Sequence, residues 1–274
     1  MEDSTKNSFY ITGHHDYANL WSSPLEDSAF YLPPYIKHHV QPVLANLETL
    51  FLDCNIGHQI VYTKSADGNP EDSTSFYLRT FLSELPQIQH LRLNFPLSDK
   101  GGTEELLTWL SKPVSSTSSL TDKLLELPHS PKPINFLHLR QLDIGSVSVR
   151  TASLIAVIRK FANTLRIVSF NRIYLLGVTP ADEVRVNSWA KFLDRLSKLN
   201  NLNLTTISMS HLAQFTTERN NLAEVATVTF KGSKHPRFKK WTGPDMQSGL
   251  RDFQDQMVVN WPAKVTTSDG KSTL

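Results

Sequence analysis

Leu47-Glu48-Thr49-Leu50-Phe51-Leu52-Asp53-Cys54-Asn55 reads L-x-x-L-x-L-x-x-N. In an extended strand side chains alternate between faces, so Leu50 and Leu52 share one face while Thr49, Phe51 and Asp53 share the other. Leu47 reaches the same apolar side from the turn before the strand. One such strand cannot bury its own apolar face. It needs a neighbour of the same kind beside it and a helix behind it. The pattern therefore makes a demand on the rest of the chain.

Copies recur. Leu85, Ile88, Leu91 and Leu93 carry the spacing, as do Leu139, Leu142, Ile144 and Val147. Leu165, Val168, Phe170 and Ile173 repeat it, then Leu199, Leu202, Leu204 and Ile207. Val225, Val228 and Phe230 make a fading last copy. Equivalent positions 50, 91, 142, 168, 202 and 228 are spaced by 41, 51, 26, 34 and 26 residues. Leucine-rich repeats have a period of about 20–29 residues, so two intervals fit, one is slightly long and two contain insertions. The fold expected is α/β: an irregular, right-handed leucine-rich-repeat solenoid with parallel strands on the concave face and helices on the convex face.

The spacers are patterned as helices. Phe76, Tyr77, Phe81, Leu82 and Leu85 follow possible caps at Ser73 or Thr74 and stop at Pro86. Leu106, Leu107, Trp109 and Leu110 follow Thr103, the expected N-cap, with Glu104 and Glu105 in a first turn whose dipole favours negative charge. Leu154, Ile158, Phe161 and Leu165 fall on one face of a helix starting at Thr151 or Ala152. Trp189, Phe192, Leu193, Leu196 and Leu199 line another, capped by Asn187 or Ser188. Strands at 139–144, 167–171 and 201–205 joined by such helices must run parallel, because a hairpin cannot span that length.

These segments divide the chain. Residues 1–16 are expected to be a disordered lead-in and 17–262 a single repeat domain. Within it 17–46 is an N-terminal cap, with a short helix after Pro34 through Tyr35, His39 and Val43. Residues 111–133, rich in Ser, Thr, Lys and Pro, form an insertion. The segment 231–245 reads as a basic loop, 246–256 as a helix and 257–261 as an edge strand, so 232–262 forms a C-terminal cap. Residues 263–274 are a flexible tail.

The 274 residues carry 28 Lys plus Arg against 26 Asp plus Glu, and a net charge of +2 selects neither nucleic acid nor membrane as partner. A single cysteine, Cys54, rules out an internal disulfide and a cysteine-based metal site, and suits a reducing compartment. With no apolar run long enough to cross a bilayer and a polar start lacking a signal-peptide core, the chain is expected to be intracellular, cytoplasmic or nuclear.

Taken together, the stretches 139–175, 184–204 and 30–52 resemble the irregular leucine-rich-repeat regions of fungal F-box-like proteins, over about four fifths of the chain. In that family the repeats recognise a target and a separate N-terminal F-box docks a ubiquitin-ligase adaptor. The F-box itself is not evident: Leu32-Pro33-Pro34-Tyr35-Ile36 matches only its opening Leu-Pro, and the later tryptophan is missing. The resemblance thus implies a recognition domain, with an adaptor as partner only if an F-box is present elsewhere.

No motif forces a reaction. There is no G-x-S-x-G elbow, phosphate-binding glycine loop or H-E-x-x-H, so no catalytic, cofactor-binding or metal-ligating residues are assigned, and no cofactor is expected. The histidine pairs His14-His15 and His38-His39 are adjacent, which makes them poor chelates. The expectation is a non-catalytic module whose exposed strand face binds a protein partner. Its candidate residues are Phe51, Asp53, Arg92, Asp143, Ser169, Asn171, Asn203 and Thr229. Two alternatives stand beside it. One is an α/β hydrolase or transferase with an unrecognised site. The other is nucleic-acid binding through the basic loop 231–241, where Trp241 could stack on bases.

Overall fold

A computed structural model describes residues 8–11, 24–57, 60–64, 70–96, 101–114, 130–177, 185–217 and 223–262. Most of the expected insertion (115–129), the rest of the lead-in and the tail 263–274 lie outside the described residues. The chain runs β1 (Ser8–Ile11), β2 (Leu25–Glu26), a 3-10 turn (Asp27–Phe30), α1 (Pro34–Ala45), β3 (Thr49–Asn55), β4 (Val61–Lys64), β5 (Pro70–Ser73) and α2 (Phe76–Leu82). It continues through β6 (His90–Asn94), α3 (Gly102–Ser111), β7 (Gln141–Arg150), α4 (Thr151–Phe161), β8 (Ile167–Gly177) and α5 (Ser188–Ser197). It ends with β9 (Thr206–Ser210), β10 (Ala213–Thr217), β11 (Ala223–Phe230), β12 (Phe238–Thr242), α6 (Met246–Gln256) and β13 (Met257–Asn260).

The result is a mixed α/β fold around a mostly parallel sheet. The main path is β1-β3-β6-β7-β8-β10-β11-β13; β2 joins β3, and β9 pairs with both β8 and β12. Every pair from β1 to β9 along this sheet is parallel. The aliphatic spacing explains why. Leu50, Leu91, Leu142, Val168 and Ile207 stand in register, with Leu52, Leu93, Ile144, Phe170 and Met209 two residues on. All ten are buried. They meet the apolar faces of α2, α3, α4, α5 and α6 in one continuous core.

That register corrects the fourth copy. The strand expected at 201–205 is instead β9, and its frame is Leu204-x-x-Ile207-x-Met209. Leu199 and Leu202 pack only partly against the core. Asn201 takes a left-handed conformation (φ 59°), which asparagine tolerates better than most residues, and turns the chain between α5 and the strand. The last copy is also corrected: β11 pairs antiparallel with β10 and β13, and Val225 is exposed while Val228 and Phe230 are buried. The segment expected as a basic loop contains β12, antiparallel to β9. Within the expected lead-in, β1 lies parallel against β3.

The three-residue step from Ile144 to Val147 and from Phe170 to Ile173 is a matched kink. Gly145 pairs with Asn171 and Val147 with Ile173, so Ser146 and Arg172 lie one on each strand between the same two pairs. Both have positive φ (55° each), as has His211 (51°) directly after Ser210, the partner of Asn171. Three neighbouring strands therefore bend at one level, and each re-enters the core one residue out of phase through Val147, Ile173 or Leu212.

Helix starts differ from expectation where a distant side chain supplies the cap. Ser75, not Ser73 or Thr74, precedes α2 and makes no side-chain cap bond. The Asp27 carboxylate caps it instead, accepting from the Tyr77 and Leu78 amides at 3.0 and 2.9 Å. Burial raises the Asp27 pKa against the lowering effect of those amides. Ser73 and Thr74 serve another purpose: with Arg79 they hold Glu105 of α3, which ties the antiparallel β4–β5 hairpin to the helix layer. Gly101, not Thr103, precedes α3, while Asn187 caps α5 as expected. Helix α1 forms, but Tyr35 and Val43 stay exposed.

Candidate strand-face recognition site

The buried leucines fix where the intervening residues go. With Leu50, Leu52 and their equivalents inward, the alternate positions of β3, β6, β7, β8, β9 and β12 share the opposite face. Register aligns Phe51, Arg92, Asp143, Ser169, Ser208 and Lys240 in one row across these strands. The next row holds Asp53, Asn94, Gly145, Asn171, Ser210 and Phe238. Strands about 4.8 Å apart make each row about 24 Å long.

Sequence reasoning thus brings together Phe51, Arg92, Asp143 and Ser169 in the first row and Asp53 and Asn171 in the second. Asn203 does not belong to it. Its backbone N–H donates to Ala162 O and its side-chain amide to Asn163 O (3.0 Å), so it secures the turn before β9. Thr229 sits on β11, beyond the antiparallel switch, where its hydroxyl accepts from the Asn260 amide at 2.9 Å. Ser208, Ser210, Phe238 and Lys240 were missed. The alternation Ile207-Ser208-Met209-Ser210 was the available signal for the first two.

Asp143 is the most heavily bonded group on the face. His90 Nε2 lies 2.7 Å from Asp143 Oδ2, and Gln141 Nε2 donates to the same oxygen at 3.0 Å. Ser169 supplies a further hydrogen bond. Burial raises the Asp143 pKa, but these bonds and the His90 charge outweigh it, and the net value lies below the usual carboxylate range. The carboxylate can only accept, so His90 Nε2 is the donor. Ser169 bonds the carboxylate rather than the imidazole, which is not the nucleophile–base–carboxylate order of a hydrolytic triad. The His90 ring meets the Phe51 ring edge-on at 4.5 Å. With Asp143 occupied, Arg92 directly opposite forms no ion pair among the described residues and is exposed.

The basic segment 231–241 is dispersed by the fold. Trp241 turns inward, and its indole lies so close to α6 that a Cβ at Gly249 would stand 2.5 Å from it. Lys239 pairs with Asp252 at 2.5 Å. Neither is presented for stacking or phosphate contact. Cys54 is fully buried, and burial, with the Asp53 and Asp27 charges, pushes its thiol pKa well up. On the helix side a cleft of about 390 Å³ opens between α4 and α5, lined by Ala152, Ile155, Arg159, Arg195, Lys198 and Leu199. Among the described residues no cluster of His, Cys, Asp or Glu could hold a metal ion, and no helix is long and apolar enough to cross a membrane.

The class these observations define is a mixed α/β protein with a mostly parallel sheet, helices against one face and a polar strand face opposite. No family model matches the chain, and comparison with curated proteins and with solved structures finds no significant match.

Proposed function

We propose that this chain is a non-catalytic protein-recognition module, an irregular leucine-rich-repeat solenoid that binds its partner across the β3–β12 strand face. By the resemblance noted above, it serves as a substrate-recognition region related to F-box ubiquitin-ligase receptors. One observation carries the reading: six strands in common register leave a polar face about 24 Å wide, on which the exposed Arg92 has no ion-pair partner among the described residues. An exposed guanidinium in register with an aromatic residue on the next strand is the kind of group that anchors protein interfaces. The face uses backbone-fixed positions, so its geometry is held before any partner arrives.

The test is capture from the source cell with the intact chain and with a Phe51→Ala/Arg92→Glu variant. A partner retained by the native chain and lost from the variant, with unchanged thermal denaturation, supports the reading. Equal recovery by both removes this face from consideration.

A further inference from the structure

The kink and the basic segment meet. Arg172 on β8 and His211 after β9 occupy neighbouring positions, because each follows the paired residues Asn171 and Ser210. The His211 amide donates to Arg237 O at 2.8 Å, which brings Arg237 alongside as the third in line. Lys240 follows on β12, opposite Ser208. All four are exposed. At about 4.8 Å between strands, Arg172, His211 and Arg237 form a line roughly 10 Å long across the strand direction.

Among the described residues no carboxylate pairs with Arg172, Arg237 or Lys240. Two of the residues are also held at positive φ, a conformation that costs energy for any side chain but glycine's. Beside the line, Ser210 Oγ donates to Asn171 Oδ1 at 2.8 Å, and among the described residues the Asn171 amide nitrogen has no acceptor. Phe238, at the same level, is 40% exposed.

We infer that the β8–β9–β12 part of the strand face binds an acidic peptide segment of the protein partner, with carboxylates on Arg172, Arg237 and Lys240 and an apolar side chain against Phe238. This deepens the recognition reading and rests on it. A peptide fits better than a nucleic acid. A uniform polyanion crossing the face would run onto Asp143 and Asp53, whereas a peptide can carry acid in one stretch and other groups in the next. The net charge of +2 supplies no broad attractive field for a polyanion. Trp241, packed on Gly249, offers no stacking surface.

The experiment is fluorescence anisotropy on the full chain with a labelled oligoglutamate peptide, alongside labelled oligothymidylate. Two variants test the site: Arg172→Gly/Lys240→Ala, in which glycine suits the local backbone, and the triple reversal Arg172→Glu/Arg237→Glu/Lys240→Glu. Arg251→Glu, exposed on α6, is the control. The expected result is saturable oligoglutamate binding that weakens with salt, falls about tenfold or more in the double variant and is lost in the reversal. The control is expected to match the native chain. Absence of saturable binding overturns the inference, as does binding that the double variant leaves unchanged. Tighter oligothymidylate binding with the same residue dependence overturns it in favour of nucleic acid. None of these variants alters Phe51 or Arg92, so failure here is separable from failure of the strand-face reading.

Discussion

From β3 to β9 the strands of the sheet run parallel; along β10-β11-β13 they alternate in direction. Both regions are built from the same aliphatic alternation. Leu142 and Ile144 are buried in the first, Val228 and Phe230 in the second. What differs is the connection. Helix α4 carries the chain from β7 to β8, and a crossover of that length returns a parallel strand. Only five residues separate Thr217 of β10 from Ala223 of β11, too few for a crossover, so the pair is antiparallel. Alternation reports a strand and its buried face; the length between strands reports direction.

The comparison can be broken most sharply at β9. If the register is set by Leu204-x-x-Ile207, Ile207→Ala should cost about 2–5 kcal/mol by urea denaturation, as for a fully buried aliphatic side chain. Leu202→Ala, only half-buried, should cost about 1 kcal/mol. Equal losses would restore the earlier frame. Next, Gly145→Ala should cost about 1 kcal/mol, because the new Cβ would stand 2.5 Å from Asn94 Oδ1 and the Asn94 amide would have to swing away. Adding Asn94→Ala should recover part of that loss, and a double-mutant cycle measures how much. No such coupling is expected between antiparallel strands that lack this contact.

A smaller effect is expected with pH. The Asp143 pKa is lowered in the folded protein, so its bonds contribute stability above the unfolded carboxylate value near pH 4 and lose it as pH falls through the folded value. Denaturation midpoints of the native chain should therefore drop on acidification relative to Asp143→Asn; parallel curves would show that the bonds contribute nothing. Smallest is Arg172→Gly, expected to stabilise by about 0.5–1 kcal/mol, the left-handed cost of about 1–2 kcal/mol removed less the entropy glycine loses on folding. A loss instead would mean that the side chain supports the bend.

Much of the parallel region was legible because its rule is short-range. Leu50, Leu91, Leu142 and Val168 announce their own burial through spacing, and amphipathic spacers announce the helices behind them. Two overlapping matches around Leu204 could not be ranked by spacing alone. The left-handed turn at Asn201 falls between them, and two residues on Asn203 bonds back to the end of α4, a contact no local spacing announces. Of the candidate face, Phe51, Asp53, Arg92, Asp143, Ser169 and Asn171 follow from alternation. The His90–Asp143 pair follows only once the register of β6 against β7 is known. Lys240 and Phe238 were hidden because a lysine-rich edge strand, which resists unwanted pairing, is hard to tell from a loop. Asp27 as the cap of α2 was out of reach, since 51 residues separate it from Leu78.

The bend shared by β7, β8 and the β9–β10 junction has a consequence for how this chain tolerates change in length. Deleting Ser146 alone would restore plain alternation in β7, with Val147 two residues after Ile144, but would leave β7 one residue short of β8, so that Val147 stood opposite Arg172 instead of Ile173 and the pairing beyond it slipped. Shortening by one residue is thus not a single-site edit here. It would have to happen in three places at once, which makes this crease the part of the sheet least free to drift.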